Sequence, residues 1–242
     1  LMMKNSDQIS INRIRKAYIA DSIFEFKQGF YGIYIIISVL YLLLISQLPS
    51  EYVIYVLPFI IFSDPSILGL FFIGGTILLE KEQGVLSSIL VTPLTSIEYI
   101  LSKLLSLASI SIAAALLISL LTYRGPVNYT YMILGTLLTS IFFTLIGIVI
   151  VTKSRSVNEF FVKMVPYAII LLLPCFLLIK FSSLVALNIF PTISLLRLIY
   201  FSYHGVNHLE SILQLIYMFI VNLLLLRYTV SKFEERIVYG GK

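Results

Sequence analysis

Residues 129–151 read YTYMILGTLLTSIFFTLIGIVIV and carry no charged side chain. As a helix this stretch is about 35 Å long, enough to cross the roughly 30 Å hydrocarbon core of a bilayer. The rest of the chain agrees with it. Of 242 residues 59% are apolar and 12% charged, and the mean hydropathy is +1.01. A soluble core of this size could not hide so much apolar area, whereas a bilayer accepts helices that satisfy their own backbone hydrogen bonds. The expected fold class is therefore all-α integral membrane, with six transmembrane helices in one domain over residues 1–242.

Working outward from 129–151, the other runs long enough to span are 29–48, 52–79, 101–123, 160–179 and 211–230, the second interrupted at Ser63-Asp64-Pro65. The first run begins near Gly29 and is too long for the apolar region of a signal peptide, so it is expected to be retained. Six spans put both termini on one side, and basic residues choose the side. Fourteen of the Lys and Arg residues fall with the termini, and three (Arg124, Lys180, Arg197) fall opposite. Both termini are expected in the cytoplasm, in a multi-pass protein of the cell membrane. The same distribution accounts for the net charge of +5 without a nucleic-acid partner.

Two segments stay open. Residues 180–208 are apolar enough for a seventh span, but that span would place the C-terminal KFEERIVYGGK outside. Pro191 and Arg197 favour instead a re-entrant or interfacial segment over about 181–203, packed against protein. Ahead of the first span, Ile19, Ile23, Phe26 and Phe30 share one helical face beside Arg13, Arg15, Lys16 and Lys27. This reads either as a helix lying in the interface or as an extension of the first span.

Candidate chemistry is sparse. Ionisable groups inside a span cost roughly 3 kcal/mol or more and are usually functional; Asp64 is the one acid well inside a run. Beside Pro65 it either caps a helix that restarts there or lines a vestibule. His204 and His208 stand four apart near Glu210, but Gly205-Val206-Asn207 is poor helix material, and exposed loop histidines are the better reading than a metal site. Cys175, the single cysteine, can form no intrachain disulfide. No nucleophile turn, zinc helix or phosphate loop is present; Gly240-Gly241-Lys242 lacks the required spacing.

The most informative local stretch is LLEKEQGVLSSILVTPL, 78–94. A span ends at Leu79, and Glu80, Lys81 and Glu82 form its charged exit. Val85, Leu86, Ile89 and Leu90 then fall on one helical face, with Ser87 and Ser88 opposite. Thr92-Pro93 stops that short helix, about 84–92, before Leu94. Thr95 and Glu98, in TSIE, form a capping box for the next span. The apolar face needs cover, and either the membrane or a groove on a partner supplies it.

At these residues the chain resembles permease subunits of the type-2 ABC exporter family. Their hallmark is an acidic pair, a glycine, a short apolar helix, a Thr-Pro step, then Glu-Tyr and Lys. Here those positions are Glu80, Glu82, Gly84, 85–91, Thr92, Pro93, Glu98, Tyr99 and Lys103. The stretch LPFIIFSDPSILGLFFIGG further resembles the subgroup labelled fluoroquinolone-export permeases. The resemblance implies a transmembrane subunit that forms a translocation path as a homo- or heterodimer and works with two separate ABC ATPase subunits. ATP and Mg would sit on those partners, with no cofactor, metal or catalytic residue in this chain. By position, Glu80, Glu82, Gly84, Val85, Leu86, Ile89, Leu90, Thr92, Pro93 and Leu94 would make the coupling helix and its stop. Glu80 and Glu82 would touch the ATPase or fix the hairpin through ion pairs with the N-terminal helix. Asp64, Phe71, Phe72, Tyr167 and Pro174 would border the path between the second and fifth spans. The cargo implied is a hydrophobic or amphipathic small molecule, drug, peptide or lipid-like compound. The alternatives are a polytopic membrane enzyme, which the shortage of intramembrane acids and histidines disfavours, and a non-transporting membrane partner or immunity protein.

Overall fold

The computed structural model describes residues 9–86, 92–180, 189–205 and 207–238, and these residues form helices without strands. In chain order they are α1 (Ile11–Lys27), α2 (Phe30–Ser46), α3 (Ser50–Glu82), α4 (Ser96–Thr122), α5 (Tyr129–Val151), α6 (Val157–Lys180), α7 (Pro191–His204) and α8 (His208–Phe233). A π-helical turn, Glu234–Val238, follows α8. Five helices are long and apolar enough to cross a membrane, or six if α1 and α2 count as one bent span. The bend between those two is 67° and falls at Gly29, whose φ of +81° lies in the left-handed region that a Cβ disfavours. α1 is mixed in polarity, with acids turned inward, while α2 is almost wholly apolar.

α5 is the axis of the bundle, touching α3, α4, α6, α7 and α8. Its most apolar window is 72% buried, against 17% for α6 and 22% for α8. The outer helices therefore present apolar surface such as Val162, Ile170, Leu213 and Phe219 to the surroundings, as lipid-facing helices do. Close approach at the axis is built on small residues. A Cβ at Gly147 would lie 2.3 Å from Ile73, and one at Gly74 only 2.0 Å from the ring of Phe160. Asn222 of α8 donates to the Leu138 carbonyl of α5 at 3.1 Å, joining two spans by a polar bond.

One expectation fails in the middle of α3. The helix runs unbroken through Ser63-Asp64-Pro65, with no restart for Asp64 to cap. Proline interrupts one backbone bond, but neighbouring helices stabilise the continuous rod, as is common in membranes. α7, 14 residues and about 21 Å long, is too short to span. Most of its side chains are buried against α3, α5, α6 and α8. Residues 181–188 of the expected re-entrant segment lie outside the described residues.

Candidate functional site

Of the charged exit of α3, Glu80 turns into a buried polar clamp, while Lys81 and Glu82 stay exposed. Lys103, about two turns into α4, is fully buried. Its Nζ donates to Asp21 Oδ1 of α1 at 2.6 Å and to Glu80 Oε1 of α3. Tyr99 donates its hydroxyl to the other oxygen of Glu80 at 2.6 Å, and Ser102 donates to Asp21 Oδ2 at 2.6 Å. Lys103 also lies over the rings of Tyr99, at 5.2 Å, and Phe24, at 5.8 Å. Each carboxylate thus holds one ammonium and one hydroxyl bond, the condition under which burying charges is tolerable. One turn deeper, Ser106 donates to Glu25 Oε1 at 2.6 Å. The other oxygen of Glu25 has no partner among the described residues. Burial in α1 pushes the Glu25 carboxyl up to about 7.

A second clamp ties α1 to the start of α4. Thr95 Oγ1 accepts from the Glu98 amide at 3.4 Å and the Thr95 amide donates to Glu98 Oε2 at 2.9 Å, a capping box. The same carboxylate is gripped by Arg13 Nε at 2.9 and 3.0 Å and by the Ser10 amide at 2.7 Å. At the far side the Tyr99 ring meets Phe233, 5.3 Å away, so the end of α8 closes the same corner. Four elements, α1, α3, α4 and α8, meet where α3 ends and α4 begins.

The residues expected to couple to a partner divide into two sets. Gly84, with φ +70°, takes the left-handed position that terminates α3. Lys81, Glu82, Gln83, Gly84, Thr92 and Pro93 are exposed, and Val85 and Leu94 are half-buried. Glu80 and Leu86 are not part of that surface. Glu80 is buried in the ion pair with Lys103, a residue of α4 rather than a basic residue of the N-terminal helix. Leu86 is only 3% exposed and belongs to the hydrophobic core, so the apolar face expected to need a partner is covered at this position by the chain itself. Ile89 and Leu90 lie outside the described residues. Beside the hairpin, Arg13, Lys16 and Ala20 of α1 and Thr92, Pro93 and Leu94 line a cleft of about 360 Å³.

The five residues expected along a path do not share one surface. Phe72 stacks on Phe30, 4.9 Å between centroids, and meets Tyr34 edge-on at 5.1 Å, turning toward α2. Phe71 faces Phe161 of α6 at 5.4 Å. Tyr167 is exposed on α6 and Pro174 is buried. Asp64 is 1% exposed, and neither of its carboxylate oxygens has a hydrogen-bond partner among the described residues. His204 stacks on Tyr200 at 3.8 Å, while His208 neighbours Tyr131. No group of three or more His, Cys, Asp and Glu placed to hold a metal occurs among the described residues.

Sequence reasoning missed the clamp. It placed Lys103 only as a member of a motif and gave Asp21 and Glu25 no role. The available signal was their spacing, since acids four apart on α1 face inward only if a cation and donors await them, and Ser102 and Ser106, with Lys103 beside them, repeat that interval on α4.

This architecture, a bundle of five or six apolar helices with α5 at its axis and a buried charged clamp at one end, defines a multi-pass helical membrane protein. The chain belongs to the fluoroquinolones export permease protein family, whose profile matches residues 12–239. Two proteins from two strains of Mycobacterium tuberculosis, each named a fluoroquinolones export permease protein, are 30% identical to it over 118 residues. That alignment covers 48% of this chain and 50% of each relative, so the match spans about half the length of these curated relatives.

Proposed function

We propose that this chain is the membrane permease subunit of an ATP-driven exporter, lying in the cell membrane with both termini in the cytoplasm. It carries no nucleotide site of its own; ATP and Mg act on two separate ATPase subunits. A second permease subunit, identical or different, completes the translocation path. The observation that carries this reading is the exposed pair of chain segments at Glu82–Gly84 and Thr92–Pro93, mounted on the double clamp. Motion applied by a partner at Glu82, Gln83, Thr92 and Pro93 passes into α1, α3 and α4 together, because buried ion pairs resist independent sliding of these helices. Membership in an export permease family supports the direction of transport. The outward apolar faces of α6 and α8 offer surface for lipid and for the second subunit.

The test is co-expression with the ATPase encoded beside the gene. The two should co-purify, and Glu82→Arg with Gln83→Arg on the first exposed segment should cut transport-linked ATP hydrolysis at least tenfold while membrane insertion stays intact. Normal coupled turnover in that variant removes that segment from the coupling route, and failure of the wild-type chain to co-purify removes the exporter reading. Leu86→Glu is unsuitable for this purpose, because a charge there is buried in the core.

A further inference from the structure

We propose that Asp64 is the recognition point for a positively charged group on the transported compound, a basic amine or an onium centre. The proposal rests on the exporter reading and specifies the chemical class of its cargo. Asp64 lies fourteen residues into the 33-residue α3, about 21 Å from the helix start and therefore deep within the apolar part of the bundle. It is 1% exposed, and both carboxylate oxygens lack partners among the described residues. The contrast with the clamp is chemical. Asp21, Glu80 and Glu98 are equally buried, and each has a cation and at least one further donor. A carboxylate without either costs several kcal/mol in such surroundings. A span that retains one either holds it protonated or has it completed by a positive group from outside the chain, and a cationic cargo supplies that group.

The surroundings suit an aromatic or hydrophobic cation. The hydroxyls of Tyr34 and Tyr41 on α2 are within electrostatic reach of Asp64. Tyr34, Phe30 and Phe72 form a continuous aromatic cluster whose ring faces attract cations. The Tyr34 hydroxyl is itself held by Ser111 of α4, with 3.1 Å between the oxygens, so it is fixed in place. A route of entry is also present. Tyr34 borders a cleft of about 340 Å³ between α2 and α4, whose wall is kept low by Ser38, Ser109, Ala113 and Ala114. A planar apolar cation entering from the bilayer side would reach the Tyr34 ring, whose hydroxyl interacts electrostatically with Asp64 of α3, although Asp64 itself does not line the cleft. The pair of large α2 and small α4 side chains admits the apolar body, and Asp64 selects the charge.

The experiment uses the full chain in lipid nanodiscs and two probes of the same shape and opposite charge, tetraphenylphosphonium and tetraphenylborate, each corrected for partition into empty nanodiscs. The wild-type chain should bind the cation and not the anion. Asp64→Asn, which keeps the size of an uncharged carboxyl, should weaken cation binding at least tenfold, and Asp64→Glu should retain most of it. In a measurement that needs no variant, a carbodiimide should label Asp64 of the wild-type chain, read by peptide mass, and tetraphenylphosphonium should protect it. Unchanged cation affinity in Asp64→Asn, equal binding of both probes, or labelling indifferent to the cation overturns the proposal. These outcomes are independent of co-purification with an ATPase. A chain that associates with its ATPase yet fails the cation tests loses this site alone, whereas one that passes the cation tests but associates with no ATPase loses the exporter reading.

Discussion

Replacing Lys103 by Met tests the clamp most directly. In the wild-type chain one buried ammonium serves two buried carboxylates, Asp21 and Glu80. Met matches the volume of the lysine stem and gains some apolar packing, on the order of 1 kcal/mol. Against that, two carboxylates lose their cation in a site from which water is excluded, and removing one partner of a buried pair costs roughly 3–5 kcal/mol. The hydroxyls of Tyr99 and Ser102 still donate to the two acids, which keeps the loss from doubling. The net expectation is a destabilisation of about 3 kcal/mol, well above the packing gain. The sequence contains no tryptophan and a single cysteine, and that cysteine, Cys175, is free and buried. A thiol-reactive fluorophore added during heating or detergent titration therefore reports unfolding through one site. Lys103→Met should unfold well before the wild type. The triple variant Asp21→Asn, Glu80→Gln, Lys103→Met should recover most of the loss, because it removes all three charges together. A Lys103→Met chain within about 1 kcal/mol of wild type, or a triple variant no better than the single, would refute the claim that the clamp is an obligatory charge-compensated unit.

Two further outcomes follow from the same geometry. Gly74→Ala should destabilise by about 1–3 kcal/mol through overpacking against the buried Phe160, exceeding the roughly 1 kcal/mol that alanine gains over glycine in a helix. Phe160→Leu should restore it in the thiol-accessibility assay, and a Gly74→Ala chain as stable as wild type would mean α3 and α6 do not meet there. Glu25 has its folded pKa raised from 4.5 to about 7 by burial, so ionising it opposes folding. Its contribution to stability is most favourable below pH 4.5, declines as pH rises toward 7 and is flat beyond. Glu25→Gln removes that decline, and its carbonyl still accepts from Ser106. The variant should match wild type near pH 5 and exceed it by up to about 3 kcal/mol at pH 8. An advantage that does not grow with pH would show that Glu25 is not the titrating group, the neighbouring Asp21, Glu80 and Lys103 being unchanged.

Much of the architecture was legible in the chain itself, because a bilayer imposes one rule on every spanning segment. About twenty apolar residues must close their own hydrogen bonds as a helix, so the runs around 101–123, 129–151 and 211–230 announce themselves without tertiary information. The cap at Thr95 and Glu98 is equally local, since it depends on residues within one helical turn, whereas the span expected to end at Leu79 runs on to Glu82. Tertiary structure alone decided what those local elements do with their polar atoms. Pro65 and Asp64 looked like a break, yet α3 runs on continuously and leaves the carboxylate buried inside it with no partner among the described residues. Glu80 looked like a surface charge and Leu86 like an unburied face. Both turn inward, one because Lys103 arrives 23 positions later with a cation that pairs with it, the other because its side chain packs into the hydrophobic core. Whether a charge faces solvent, a partner or a counter-ion depends on helices distant in sequence, and periodicity along one helix carries no information about them.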